Sequence, residues 1–184
     1  REQVDQFVVH YDVCGTARTC FDVLHDRRGL SVHFLLDIDG TLYQTLDLAE
    51  TAWHARQANA RSVGVEIANI GAYPQGVRIA LPERMGDGGV RTPGFVGRPA
   101  RAELIRGEIQ ARLLEMYALT PAQYRALEHL TAGLCRVFPR IAPDAPRGAD
   151  GRVLTRVLTP GEFERFQGVL GHFHVSEDKV DPGP

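Results

Sequence analysis

Gln6-Phe7-Val8-Val9-His10 decides the fold class. The run is β-branched and aromatic, as a buried strand is, and it delivers a histidine at its carboxyl end. Sites in α/β sheets lie beyond that end of the strands. His10 is therefore a candidate functional residue by position as well as by type. Fifty residues on, Ser62-Val63-Gly64-Val65-Glu66-Ile67-Ala68-Asn69 alternates apolar with small or polar residues and predicts a second strand carrying Glu66 on one face. A carboxylate in the middle of a strand asks for a reason.

Between them, Thr16 to Arg27 places Phe21, Leu24 and His25 at helical spacing and stops at Gly29, which predicts a short helix. Val32 to Leu36 and Thr41 to Leu46 flank Asp39-Gly40, the turn pair of a hairpin. Beyond the second strand, Tyr73 to about Pro99 is rich in Gly, Pro and Arg and reads as a surface excursion of the kind that borders clefts. Ala102 to Met116 sets Leu104, Ile105, Ile109, Leu113 and Met116 at the spacing of a helix face, with Gly107 against it.

The helix signal after it is sharper. Thr120-Pro121-Ala122-Gln123 supplies an N-cap, a first-turn proline and a capping-box partner. Leu127, Leu130, Leu134 and Val137 form the apolar stripe, with Cys135 in or beside it, and Phe138-Pro139 closes the helix. Ala142 to Gly151 is again loop, Thr159-Pro160-Gly161-Glu162 repeats the start signal for a short helix reaching about Gln167, and the chain then presents Gly171-His172-Phe173-His174. The sum is an α/β fold with a mixed central β-sheet of five or six strands and helices on both faces.

The whole chain sets limits. Its 184 residues, 43% of them hydrophobic, make one domain with a substantial core. A net charge of -2 with both signs interspersed leaves no basic stripe for nucleic acid. No apolar run approaches the roughly 20 residues of a membrane span. Cys14 and Cys20 are near enough in sequence to close a small disulfide loop, which favours an exported protein; three reduced thiols in a cytosolic protein is the competing reading.

Seven histidines compete for a role. His10 ends a hydrophobic strand, while His172 and Asp181 lie in a tail punctuated by glycine and proline that can turn two side chains onto one ion. Two imidazoles and one carboxylate suit catalytic zinc, leaving a fourth tetrahedral position for water. His174 is the competitor of His172, since residues two apart share a side in an extended segment. His25 and His129 have no partner motif, and His33 reads as a packed histidine supporting the first ligand.

Five blocks in order, Phe7 to His10, Val32 to Gln44, Ala52-Trp53-His54-Ala55, Ser62 to Asn69 and Gly171 to Pro184, resemble the type-2 N-acetylmuramoyl-L-alanine amidases, a family that includes the animal peptidoglycan recognition proteins. The resemblance spans nearly the whole chain. It implies that His10, His172 and Asp181 hold zinc, the family pattern Gly-His-x-x-Val pointing to His172 over His174. It also implies that Glu66 is the catalytic glutamate and that Lys179 stands near the metal to stabilise the oxyanion.

His54 falls at the cleft as a substrate contact or as a shaper of the pocket, with a purely structural, hydrogen-bonded histidine as the alternative. Trp53 and Asn69 fit a cleft through sugar stacking and amide hydrogen bonding. Val32 stands where some members carry a tyrosine, which removes a phenolic catalyst. Surface insertions at about 74–99 and 142–158 look longer than a minimal amidase needs.

The implied activity is hydrolysis of the amide between N-acetylmuramic acid and L-alanine, in peptidoglycan or muropeptides, by a monomer in the periplasm or outside the cell. A non-catalytic peptidoglycan-binding module and a cytosolic amidase recycling anhydro-muropeptides are the alternatives.

Overall fold

The structure is a computed structural model and describes residues 4–77 and 88–184. Strand β1 (Gln6–Tyr11) leads into α1 (Ala17–Phe21), which continues as a π-helical segment over Asp22–Arg27. Thr16 caps α1 by accepting a hydrogen bond from the Thr19 amide. Strands β2 (Phe34–Leu36) and β3 (Leu42–Gln44) form the predicted hairpin across Asp39-Gly40, and β4 (Ser62–Ile67) is the predicted second strand.

The excursion holds β5 (Tyr73–Pro74) and a small hairpin of β6 (Val90–Thr92) and β7 (Phe95–Gly97), its stretch 78–87 lying outside the described residues. Then come β8 (Ile105–Ile109), β9 (Arg112–Met116), α2 (Pro121–Val137), α3 (Pro160–Arg165), β10 (Gly168–Gly171) and α4 (His172–Val175).

The central sheet has the order β10-β1-β4-β2-β3, parallel except for the antiparallel edge strand β3. Its two faces are divided by the strand period of two. Phe7, Val9, Val63, Val65 and Ile67 face one side, where Leu134 and Ile141 are buried with them and Leu127, Leu130 and Cys135 pack alongside. Val8 and Leu170 face the other, against Ala55, Ala58, Phe163 and Val175. His10 and Glu66 share a parity with Val8, so both point to this second face; they are register partners on neighbouring parallel strands.

Helix α2 is set by its cap. The Thr120 hydroxyl accepts from the Gln123 amide at 3.1 Å and donates to the Ile38 carbonyl at 2.8 Å, while the Gln123 side chain donates to the Ala68 carbonyl at 2.7 Å. The predicted stripe loses one member: Val137 is 62% exposed, because the helix leaves the sheet in its last turn.

The helix predicted over Ala102 to Met116 is instead the β8–β9 hairpin, joined to β5 as a second sheet. Ile109, Leu114 and Met116 are buried, and their spacing satisfies a strand pair as well as a helix face. The turn residues Gln110 and Ala111 both have positive φ (53° and 58°), a two-residue hairpin turn built without the usual Asn or Gly. Gln110 is pinned from outside: its side chain donates to the carbonyls of Phe173 at 2.8 Å and Ser176 at 3.2 Å. Among the described residues, no helix is long and apolar enough to cross a membrane.

Candidate metal centre and its cleft

The parallel register sets His10 and Glu66 side by side at the carboxyl end of the sheet. β10 then runs beside β1 and breaks into α4, so that His172 arrives next to His10. The tail after α4 turns back, with the Phe173 amide donating to the Asp181 carbonyl at 3.1 Å, and this returns the Asp181 side chain to the two imidazoles.

The result is a nearly equilateral triangle of donor atoms. His10 Nδ1 and His172 Nδ1 are 3.0 Å apart, and Asp181 Oδ2 lies 2.9 Å from the first and 3.0 Å from the second. All three residues are buried. Burial lowers the pKa of His10, outweighing the Asp181 carboxylate that raises it. Burial pushes Asp181 the other way, but hydrogen bonds from His10 and His172 and their charges together hold it below its usual range. A neutral imidazole and an ionised carboxylate are the states in which these groups ligate a metal.

The back of His10 shows which lone pair is available. His10 Nε2 lies 2.9 Å from His54 Nδ1, and His54 Nε2 lies 3.2 Å from Ser62 Oγ. A single tautomer satisfies the run, with His10 Nε2 donating to His54 and His54 Nε2 donating to Ser62. That tautomer leaves the Nδ1 lone pair of His10 facing a carboxylate oxygen and a second ring nitrogen at about hydrogen-bond distance. A cation relieves that arrangement, and the donor set of two imidazoles and a carboxylate fits zinc with a position open.

Gly64 makes room for the run. A Cβ there would meet His54 Cε1 at 2.5 Å and Nδ1 at 2.6 Å, so a side chain would displace the ring that orients His10. His33 was expected to support the first ligand; the structure gives that place to His54. His33 instead accepts from the Gly64 amide and donates to the Glu50 carbonyl, both at 3.2 Å, and meets His54 edge to face one step further back.

Glu66 is the second carboxylate. Burial raises its pKa well above the usual range, the negative charges of Asp181, Asp12 and Cys14 add to that, and Lys179 opposes them. Its Oε2 is buried and accepts no hydrogen bond from the described residues. A cleft of about 430 Å³ opens over these groups, lined by His10, Glu66, His172, Asp181, Lys179 and Trp53 among others. Trp53 is 64% exposed at its rim.

The structure thus brings together His10, His172, Asp181, Glu66, Lys179, His54 and Trp53. It does not bring Asn69 to the cleft. That amide donates to the Tyr117 carbonyl at 3.3 Å and accepts from the Gly71 amide at 2.8 Å, and Asn69 lines a different pocket. His174, the competitor of His172, is turned away: it accepts from the Gly171 amide at 2.9 Å and donates to the Leu154 carbonyl at 2.7 Å.

Asp12, also on the cleft wall, went unremarked in the sequence reading; its signal was the strand alternation that continues the side of His10 one step further. Burial first, and then the neighbouring Cys14, push its carboxyl up to about 7 against the pull of three backbone amides.

A parallel sheet with two imidazoles and a carboxylate gathered beside a buried glutamate has the make-up of a hydrolytic metal centre. The chain belongs to the N-acetylmuramoyl-L-alanine amidase family, whose family model matches residues 1–184. Its fold is that of solved amidases. The N-acetylmuramyl-L-alanine amidase AmiD from E. coli, in complex with the substrate anhydro-N-acetylmuramic acid-L-Ala-D-gamma-Glu-L-Lys, is 19% identical, with 98% of this chain and 53% of that chain covered and a TM-score of 0.57.

AmpDh3 from Pseudomonas aeruginosa, in complex with anhydromuramic pentapeptide, gives 17%, 98%, 55% and 0.54. The endolysin of Thermus scotoductus bacteriophage Ph2119 gives 16%, 98%, 78% and 0.52. The chain spans about half the length of the first two. No curated protein matches by sequence.

Proposed function

We propose that the protein is a zinc-dependent N-acetylmuramoyl-L-alanine amidase that hydrolyses the amide between N-acetylmuramic acid and L-alanine in peptidoglycan or its muropeptide fragments. The observation that carries this reading is the triangle of His10 Nδ1, His172 Nδ1 and Asp181 Oδ2 with Glu66 beside it on the adjoining strand. Family membership and the muropeptides bound by AmiD and AmpDh3 support the substrate class.

His10, His172 and Asp181 would hold the ion. Zinc there supplies Lewis acidity, making water acidic enough to lose a proton near neutral pH and polarising a carbonyl. Glu66 takes the proton of the attacking water. Its raised pKa, caused first by burial, keeps the acquired proton on the carboxyl long enough to be delivered to the leaving amide nitrogen. The Lys179 ammonium, on the cleft wall, stabilises the oxygen that becomes negative when the carbonyl is attacked.

His54, with both ring nitrogens engaged, holds His10 rather than reaching into the cleft, while Trp53 offers an indole face to a sugar ring at the rim. Asn69 holds the floor of the cleft through its amide N–H to Asp12 instead of touching substrate.

The chain acts as a single domain and a monomer, with insertions at about 74–99 and 142–158 shaping the substrate walls, and works in the periplasm or outside the cell. Mass spectrometry of muropeptides incubated with zinc-loaded and with chelated protein tests the reading. The zinc-loaded protein should release free stem peptide beginning at L-alanine and the chelated protein none; intact muropeptides in both arms would return the chain to a binding module.

A further inference from the structure

Across the cleft from the histidines, the segment that follows β1 is built around one carboxylate. Asp12 Oδ1 accepts three backbone amides, from Cys14 at 2.9 Å and from Gly15 and Asn69 at 3.2 Å each. Its other oxygen, Oδ2, is buried and accepts no hydrogen bond from the described residues. The backbone is bent to permit this, with positive φ at Val13 (56°) and Gly15 (87°), and the bend turns Cys14 back toward α1. There it meets Cys20, which is buried on α1 and whose thiol hydrogen-bonds to Cys14. One donor atom from each of Asp12, Cys14 and Cys20 lies within 4.8 Å of the others.

We propose that Asp12, Cys14 and Cys20 form a second metal site, for a thiophilic divalent cation of the zinc class, on the wall of the cleft that His10, His172 and Asp181 enter. All three residues line that cleft, so an ion has a route in and a fourth position facing solvent or substrate. Two thiolates and a carboxylate select softer ions than two imidazoles and a carboxylate do. Binding replaces the two thiol protons with metal–sulfur bonds and gives the buried Asp12 oxygen the partner it lacks. A disulfide between Cys14 and Cys20 would leave that oxygen as it is, which favours the ion over the bridge.

The two sites differ in chemistry, and this makes them separable by cobalt. Only the second has thiolate ligands, so only it produces a sulfur-to-cobalt charge-transfer band in the near ultraviolet. The chelator-stripped full chain, kept reduced with a phosphine and its three thiols counted with a thiol-reactive dye, is titrated with Co2+. The expected result is two bound equivalents and the charge-transfer band.

Cys14→Ser and Cys20→Ser should each abolish the band and one equivalent while keeping the other, with circular dichroism confirming the fold. His10→Ala should do the reverse, keeping the band, so loss of the histidine site and loss of this one are told apart. One equivalent without the band in fully reduced protein overturns the proposal. So does a Cys14–Cys20 disulfide that the phosphine does not open.

Discussion

The sheet and the tail supply the same cleft by different means. His10 and Glu66 sit on β1 and β4, paired in parallel register over six residues with apolar neighbours buried on both faces. Moving either side chain means breaking the ladder at the centre of the core. His172 and Asp181 sit on a four-residue helix and a run of turns held by few contacts. Those contacts are the Phe173 amide to Asp181, the Gln110 side chain to two carbonyls, and Val180 against Ile109, Leu114 and Phe173. The candidate base is therefore fixed by the most stable part of the molecule, and two of three candidate ligands by a part that opens at lower cost. Chemistry and ion retention should separate when each region is disturbed.

The sharpest separation comes from the sheet side. Glu66→Gln keeps the shape and removes a buried charge, so fold and zinc content should persist while muropeptide hydrolysis falls about 10³-fold, within the range for loss of a general base. Kinetics paired with metal analysis reads both, and near-normal turnover would take the base role away from β4.

Next in size is acid sensitivity on the tail side. His174 is buried and its pKa is lowered to about 4, by burial first, against 6.5 when unfolded. Between those values the unfolded chain binds more protons, so stability falls as pH drops from about 6.5 to about 4, by up to about 3 kcal/mol. Urea unfolding of chelated protein across that window checks it, and His174→Gln should flatten the dependence.

A smaller effect tests the link between the regions. His54→Ala removes the partner of His10 Nε2 and should weaken zinc about 10- to 100-fold without unfolding the sheet, measured by competition with a chromophoric chelator. An unchanged affinity would mean that β1 alone orients the imidazole. Smallest is Gln110→Ala, which deletes the hairpin's hold on the carbonyls of Phe173 and Ser176 and should cost about 1 kcal/mol. Hydrogen exchange should then quicken in the tail amides before those of β1 and β4.

What could be read in advance follows the same division. The strand Gln6 to His10, the hairpin at Asp39-Gly40 and the capping box at Thr120 depend on neighbours in sequence, and each formed where its local chemistry placed it. Residues 102–116 misled because apolar spacing there fits both periods, and the deciding turn at Gln110-Ala111 carries no local signal. Asn69 looked like a cleft residue for its amide, but that amide is consumed by Tyr117 and Gly71 from beyond the strand. His54 could be placed at the cleft yet not behind His10, since the 44 residues between them leave no periodicity to follow.

By itself the sequence determined that a parallel strand ends in His10, that Glu66 lies within a second strand, and that a capped helix covers one face. Side-chain alternation and capping are local, and a burial pattern states them without a partner. The tertiary structure alone decided that β1 and β4 are neighbours in a register that pairs His10 with Glu66, and that the tail returns to close a triangle of donors 3 Å on a side. It alone set Asp12 against two thiols. Those distances join residues up to 171 positions apart, and what fixes them is the packing of one element on another.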